Sequence, residues 1–256
     1  RKVLRTFQHA FITKDITRFN LLDVAGSFGS GYLFPLYFYD DAGKKDLFNN
    51  KNKLEKHQSN INPKIFTALT EVYKVKPSPE VIFYYIYSIL YSNIYRTQYA
   101  EFLKMDFPRI PFSKDYKLFS KMAEYGKKLV NLHLMKSVGA NDNAYLPKPI
   151  AKFQGKGDNL VERVQYHEDE ERVYINPNQY FEHIEKDVWQ YQIGGYQVCN
   201  KWMKDRKGRK LSLDEIKHYC DIATSLRETI KIQKEIDGTY PEIEKQTIDF
   251  EIQKRK

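Results

Sequence analysis

Residues 193–219 read IGGYQVCNKWMKDRKGRKLSLDEIKHY, and three patterns in succession decide the fold. Gly194-Gly195 bends the chain into Tyr196-Gln197-Val198, the edge of a short sheet. A basic run follows, NKWMKDRKGRK (200–210). Ser212 and Glu215 then form a capping box that opens a long helix. Its apolar stripe is Ile216, Tyr219, Ala223, Leu226 and Ile230, spaced 3, 4, 3 and 4. So short a near-heptad seam needs a partner helix but implies no long coiled coil. Strand, basic loop and capped helix in that order predict an α+β protein, with helices packed on small, mostly antiparallel sheets.

Reading back from this stretch, VWQYQI (188–193) alternates as a strand does, and RVQY (163–166) and RVYI (172–175) flank HEDEE as a strand pair. Gly139, Pro147, Pro149, Gly155 and Gly157 make residues 137–159 a turn-rich boundary. Before it, Ser78-Pro79-Glu80 is a helix start. That helix carries Ile82, Ile86, Ile89, Leu90 and Ile94 on one face and is predicted to run to about Lys104. Pro108 and Pro111 break it, and Ser113 is expected to cap a further helix through Phe119, Met122, Leu129 and Val130. Residues 3–13 and 32–39 read as strands, the second on an edge because of Pro35; GSFGSG (26–31) and residues 40–60 read as loops. Two subdomains are therefore expected, an α+β unit over 1–145 and a sheet, basic loop and long helix over 146–238, followed by a charged tail over 239–256.

The 256 residues are 41% apolar and 29% charged, which excludes wholesale disorder. Their net charge of +9 points to polyanionic partners. Two cysteines, Cys199 and Cys220, build no disulfide framework and fit a reducing, cytoplasmic setting. The longest uncharged apolar stretch, Val81 to Tyr95, is fifteen residues and falls short of the ~20 a spanning helix needs, so no membrane association is expected. The chain opens at Arg1 without a signal peptide, as expected of a piece of something longer.

Nothing in the sequence builds a self-sufficient active site. The six histidines are scattered without zinc-ligand spacing, and GSFGSG lacks the Lys-Ser/Thr ending of a phosphate loop. Asp205, Glu215 and Lys217 have the residue types of a D…E-x-K nuclease, but Glu215 is accounted for by the capping box. Asn176-Pro177-Asn178-Gln179-Tyr180 is close to the Asn-Pro-Pro-aromatic motif of amino-methyltransferases; it lacks the second proline and reads as a turn.

The basic run is the informative feature. Lys201, Lys204, Arg206, Lys207, Arg209 and Lys210 face one acid, Asp205, and supply more than half of the net charge. Gly208 lets the backbone turn, and Tyr196 and Trp202 supply planar groups. On a duplex, neutralising about 4–5 phosphates would give a salt slope near −4, with Tyr196 and Gln197 reaching toward bases. Replacing Arg206, Lys207 and Arg209 together is expected to flatten that slope by about 3. Arg96 and Gln98, within Tyr95–Tyr99, form a second candidate patch. The rival reading is a protein-interaction scaffold that docks a partner through the 212–236 helix.

The blocks YRTQYAEFLKMDFPRIPF (95–112), LFSKMAEYGKKLVNLHLM (118–135), IGGYQVCNKWMKDRKGRKLSLDEIKHY (193–219) and ETIKIQKEID (228–237) resemble the C-terminal specificity region of type ISP restriction–modification enzymes and related single-chain adenine methyltransferases. FQHAFIT (7–13) and GYLFPLYFY (31–39) resemble its opening. The resemblance implies sequence-specific binding of double-stranded DNA. It places catalysis and S-adenosylmethionine in an adjoining methyltransferase domain of the same or a partner chain, with no cofactor and no catalytic residue in this one. Only the Gly-Gly-Tyr-Gln and Lys-Asp-Arg-Lys-Gly-Arg blocks carry over, as DNA-facing elements. The implied setting is the bacterial cytoplasm.

Overall fold

A computed structural model describes residues 10–15, 32–39, 57–135, 147–193 and 195–250. Residues 3–9 of the first expected strand, the GSFGSG loop, residues 40–56, residues 136–146 of the boundary passage, Gly194 and the last six residues lie outside the described residues. Residues 10–13 are irregular, and strand β1 is confined to Tyr37–Tyr39, paired with β2 (His57–Ser59).

Helices follow. Helix α1 (Pro63–Tyr73), which the sequence reading missed, starts where the Asn62 side chain accepts the Lys64 N–H, and stops at Lys74 in the left-handed region. Helix α2 (Pro79–Tyr91) is capped by Ser78 as predicted. The predicted continuation to Lys104 instead divides into α3 (Asn93–Gln98) and α4 (Ala100–Leu103). The cause is tertiary. Asp237 Oδ1 accepts the Ser92 hydroxyl at 2.8 Å and the Asn93 and Ile94 N–H groups at 2.7 and 3.3 Å, so a distant carboxylate takes donors that a continuous helix would satisfy itself. Helix α5 (Tyr116–His133) packs against α2; its N-cap is Asp115 rather than Ser113, which is buried and bridged to Thr247.

The second half begins with β3 (Lys152–Gly155), β4 (Gln165–His167), β5 (Arg172–Asn176) and β6 (Gln179–Glu182). They form an antiparallel sheet in the order β3-β6-β5-β4. Val173 and Ile175 alternate inward along β5, and Pro177-Asn178 is the predicted turn. The predicted strand 188–193 is instead helix α6 (Lys186–Gln190) followed by β7 (Gln192–Ile193). Val188 enters the core and Trp189 stacks on Tyr166, and six alternating residues fit one helical turn plus a two-residue strand equally well. Strand β8 (Tyr196–Gln197) pairs with β7 and leads into helix α7 (Val198–Lys204).

Helix α8 (Leu213–Lys245) closes the chain and runs through two apolar clusters. The first gathers Leu69, Ile82, Tyr85, Phe119, Met122 and Leu129 with Ile236, Tyr240 and Ile243 of α8. The second gathers Val173, Ile175, Phe181, Cys199 and Met203 with Tyr219, Ala223 and Leu226 of α8. The expected end near residue 237 and the charged tail from 239 are thus corrected: the helix passes Gly238 and Pro241. An interior proline costs about 3 kcal/mol. Full burial of Tyr240 and Ile243 offsets it, since a large apolar side chain removed from water contributes about 1.5–3 kcal/mol. The seam that a scaffold would offer to a partner is filled from within, with Tyr219, Ala223 and Leu226 buried and Ile216 and Ile230 packed on the same cluster. Among the described residues no helix is long and apolar enough to cross a membrane.

Candidate nucleic-acid interface

The predicted basic loop is half helix. Cys199 and Met203 bury one side of α7, so Lys201 and Lys204 stand on its exposed surface. Burial pushes the Cys199 thiol up to about 12, which leaves it a packing residue. After Lys204 the chain turns through Asp205–Arg209, with Gly208 at φ 78°, a conformation open to glycine and costly for other residues.

This turn is sewn to the segment before β4. Gly208 N donates to Val161 O at 2.8 Å, Val161 N to Arg209 O at 2.9 Å, and Leu211 N to Asn159 O at 2.9 Å. Leu160 and Lys210 form an antiparallel bridge. The turn is therefore held on a rigid base, as its place between sheet and capped helix predicts.

Its six cations divide into two kinds. Arg206 lies over the Trp202 ring, 3.5 Å from its centroid, donates from Nη1 to Trp202 O at 3.0 Å, and donates from Nε to Glu215 Oε1 at 3.1 Å. Its side chain is only 22% exposed. Arg209 is 59% exposed and reaches the same Oε1 through Nη2 at 3.1 Å. Lys201 pairs with Asp205 at 2.6 Å and Lys210 with Asp158 at 2.9 Å. Lys204 and Lys207 are exposed, and among the described residues neither has an acidic partner. The expectation that all six cations lie on phosphates is corrected for Arg206, which is a bracket between α7 and α8. Trp202, packed against Tyr219 at 5.2 Å and beneath Arg206, is likewise no free stacking surface.

The remaining candidates separate too. Tyr196 is exposed, with the Lys201 ammonium 5.8 Å from its ring centroid. Gln197 is half-buried and accepts from Asn200 Nδ2 at 3.1 Å. Gln98 is exposed, but Arg96 turns inward. Its Nε donates to Leu90 O at 2.5 Å, its guanidinium lies 4.7 Å from the Tyr91 centroid, and burial lowers its pKa from the usual guanidinium value. The structure thus removes Arg96 from the expected surface. Asp205 and Glu215 are engaged by Lys201 and by the two arginines, and among the described residues no group of three metal-binding side chains occurs.

The sequence reading missed the layer beneath the turn. Gln179, 1% exposed, accepts from Asn159 N and Asn176 Nδ2 at 2.9 and 3.0 Å and donates to Asn159 Oδ1 at 2.8 Å. Asn159 Nδ2 donates to Leu211 O at 3.3 Å, so an amide network centred on buried Gln179 braces the basic turn from below. Its only sequence signal is the Asn-Pro-Asn-Gln turn.

The model of the Type ISP C-terminal specificity domain matches residues 2–235. The chain belongs to that family. The specificity domain also shares its fold with two much longer proteins of known structure. One is described as the ATP-dependent Type ISP restriction-modification enzyme LlaBIII bound to DNA: 19% identity, TM-score 0.53, covering 79% of this chain and 14% of that one. The other is DrdV, in a cryo-EM DNA complex: 20% identity, TM-score 0.56, covering 80% of this chain and 21% of that one. The specificity domain therefore spans a small part of the length of either protein. No curated protein matches it. Asp237 and Tyr240, which lock α8 onto the helical half, lie beyond the family match.

Proposed function

We propose that this specificity domain recognises a target sequence in double-stranded DNA on behalf of a longer, intracellular restriction–modification enzyme that methylates adenine. Catalysis, and the S-adenosylmethionine it consumes, belong in this reading to an adjoining methyltransferase domain, and the chain itself is non-catalytic. The family match carries the reading, and the DNA-bound relatives that share the fold support it.

Lys204 and Lys207 are the cations best placed for phosphates, because among the described residues no acid competes for them. Arg209 and Lys210, exposed at their acidic partners, join only by exchanging a carboxylate for a phosphate. Such contacts position the protein, while bases are read by side chains at groove depth, for which exposed Tyr196 is a candidate.

The test is a fluorescence titration of the chain with duplex DNA from 50 to 200 mM salt. Lys204→Ala with Lys207→Ala should weaken binding to every duplex and reduce the salt slope by about 2. An unchanged slope removes the turn from the interface, and absence of duplex binding by the chain overturns the reading.

A further inference from the structure

Two loops and a turn meet at one end of the four-stranded sheet. Gly155, the last residue of β3, has φ 97°, and a Cβ there would stand 1.9 Å from Asn178 O. The exit of β3 is thus seated directly on the β5–β6 turn. From Gly155 the chain passes through Lys156 and Gly157 to Asp158, whose carboxylate holds the Lys210 ammonium at 2.9 Å. Asn159 and Val161 then make the backbone hydrogen bonds that hold the basic turn, with Leu160 bridged to Lys210 between them. Buried Gln179 binds Asn159 on one side and Asn176 on the other, and Asn176 Nδ2 donates on to Leu160 O at 3.0 Å. Lys156 is exposed and, among the described residues, has no acidic partner, the same condition as Lys204 and Lys207. It lies two residues from Asp158, a backbone reach of at most about 7 Å.

We infer that Lys156 belongs to the same phosphate-binding surface as Lys204 and Lys207, so that the surface is a cationic rim built from two loops, with Gln179 the residue that positions one loop against the other. The inference rests on the DNA reading above. Cations on separate segments bear on separate phosphates, so the rim fixes the register of the domain on the duplex better than one turn can. Gln179 acts only through the loops: its amide is enclosed, and its three hydrogen bonds reach side chains and backbone on both sides.

The experiment is a salt titration of the full chain with a mixed-sequence duplex. Lys156→Ala should lower the salt slope by about 1 and Lys156→Glu by more, both with an unchanged melting temperature. In a Gln179→Met background, Lys156→Ala should cost less affinity than in the parent, a non-additivity that general destabilisation would not produce. Should Lys156→Ala leave slope and affinity unchanged while the Lys204/Lys207 double substitution still lowers the slope, the rim is overturned and the DNA reading stands. Failure of both overturns the DNA reading itself. A full Lys156→Ala effect in the Gln179→Met chain removes the positioning role, and so does a failure of Gln179→Glu, which keeps both acceptor bonds, to retain more of the Lys156 effect than Gln179→Met.

Discussion

Arg206 Nε donates to Glu215 Oε1 across 3.1 Å and so ties the start of the basic turn to the first turn of α8. The same carboxylate accepts the Ser212 N–H through Oε2 at 3.1 Å, while the Ser212 hydroxyl accepts the Glu215 N–H. One glutamate thus closes a capping box and anchors a cation that the charge pattern alone would place on a ligand.

Arg206→Ala should therefore act mainly on stability. It loses the indole stack and two charge-assisted hydrogen bonds at a side chain only 22% exposed, a cost of about 1–2 kcal/mol. Lys207→Ala should stay within about 0.5 kcal/mol. The order reverses in the salt slope of DNA binding. Urea unfolding beside the fluorescence titration separates the two, and equal slopes with equal stabilities would refute the division.

Glu215 is held below the usual carboxylate range, first by the Ser212 backbone N–H and then by Arg206 and Arg209. A carboxylate whose folded pKa is lowered contributes stability above its unfolded value near 4.3 and loses it as pH falls through the folded one. Glu215→Gln keeps an acceptor but has no charge to lose. Between pH 5 and pH 2.5 the parent chain should shed more stability than this variant; parallel urea midpoints would contradict the assignment.

His133 gives a second pH dependence in a higher window. Thr229 spends its hydroxyl proton on Ser225 O at 2.8 Å, so His133 Nε2 must donate to Thr229 Oγ1 at 3.0 Å, and Nδ1 accepts the Tyr87 hydroxyl at 2.7 Å. The half-buried ring is held neutral, and desolvation, aided by Arg96, lowers its pKa to about 4. The unfolded chain takes up this proton near 6.5, so stability falls as pH drops from about 6.5 toward 4, by at most about 3 kcal/mol. His133→Gln should flatten the stability profile over that window, as measured by thermal melts at constant ionic strength.

Asp237→Ala should release the start of α3. Three donors on Oδ1 and the Asn93 amide on Oδ2 at 2.9 Å would lose their acceptor, at a cost of about 2–3 kcal/mol. Amide exchange over residues 92–98 should quicken before that of α5; uniform quickening would show the contact to be unimportant locally.

Much that depends on neighbours within a few residues was legible in the chain, although the equally local Asn62 cap of α1 and Asp115 cap of α5 were passed over. The Ser78-Pro79 start, the Ser212–Glu215 box, the strand at RVYI (172–175) and the turn at Pro177-Asn178 all stand as read. Their determinants are side chains bonding to their own backbone or packing at a fixed period. The basic turn was legible too, both as a concentration of charge and as a segment held between sheet and helix.

Tertiary structure alone decided which of those charges are free, where α2 ends and how far α8 runs. Asp237 ends α2 from 145 residues away, and burial of Tyr240 and Ile243 carries α8 past Gly238 and Pro241. Lys204, Lys207 and Arg206 look alike in sequence, yet an indole and a carboxylate brought up by folding hold the arginine and leave the lysines open. Charge falls off over space rather than along the chain, so the amino-acid sequence set how much positive charge this domain carries and the fold set where that charge remains unspent.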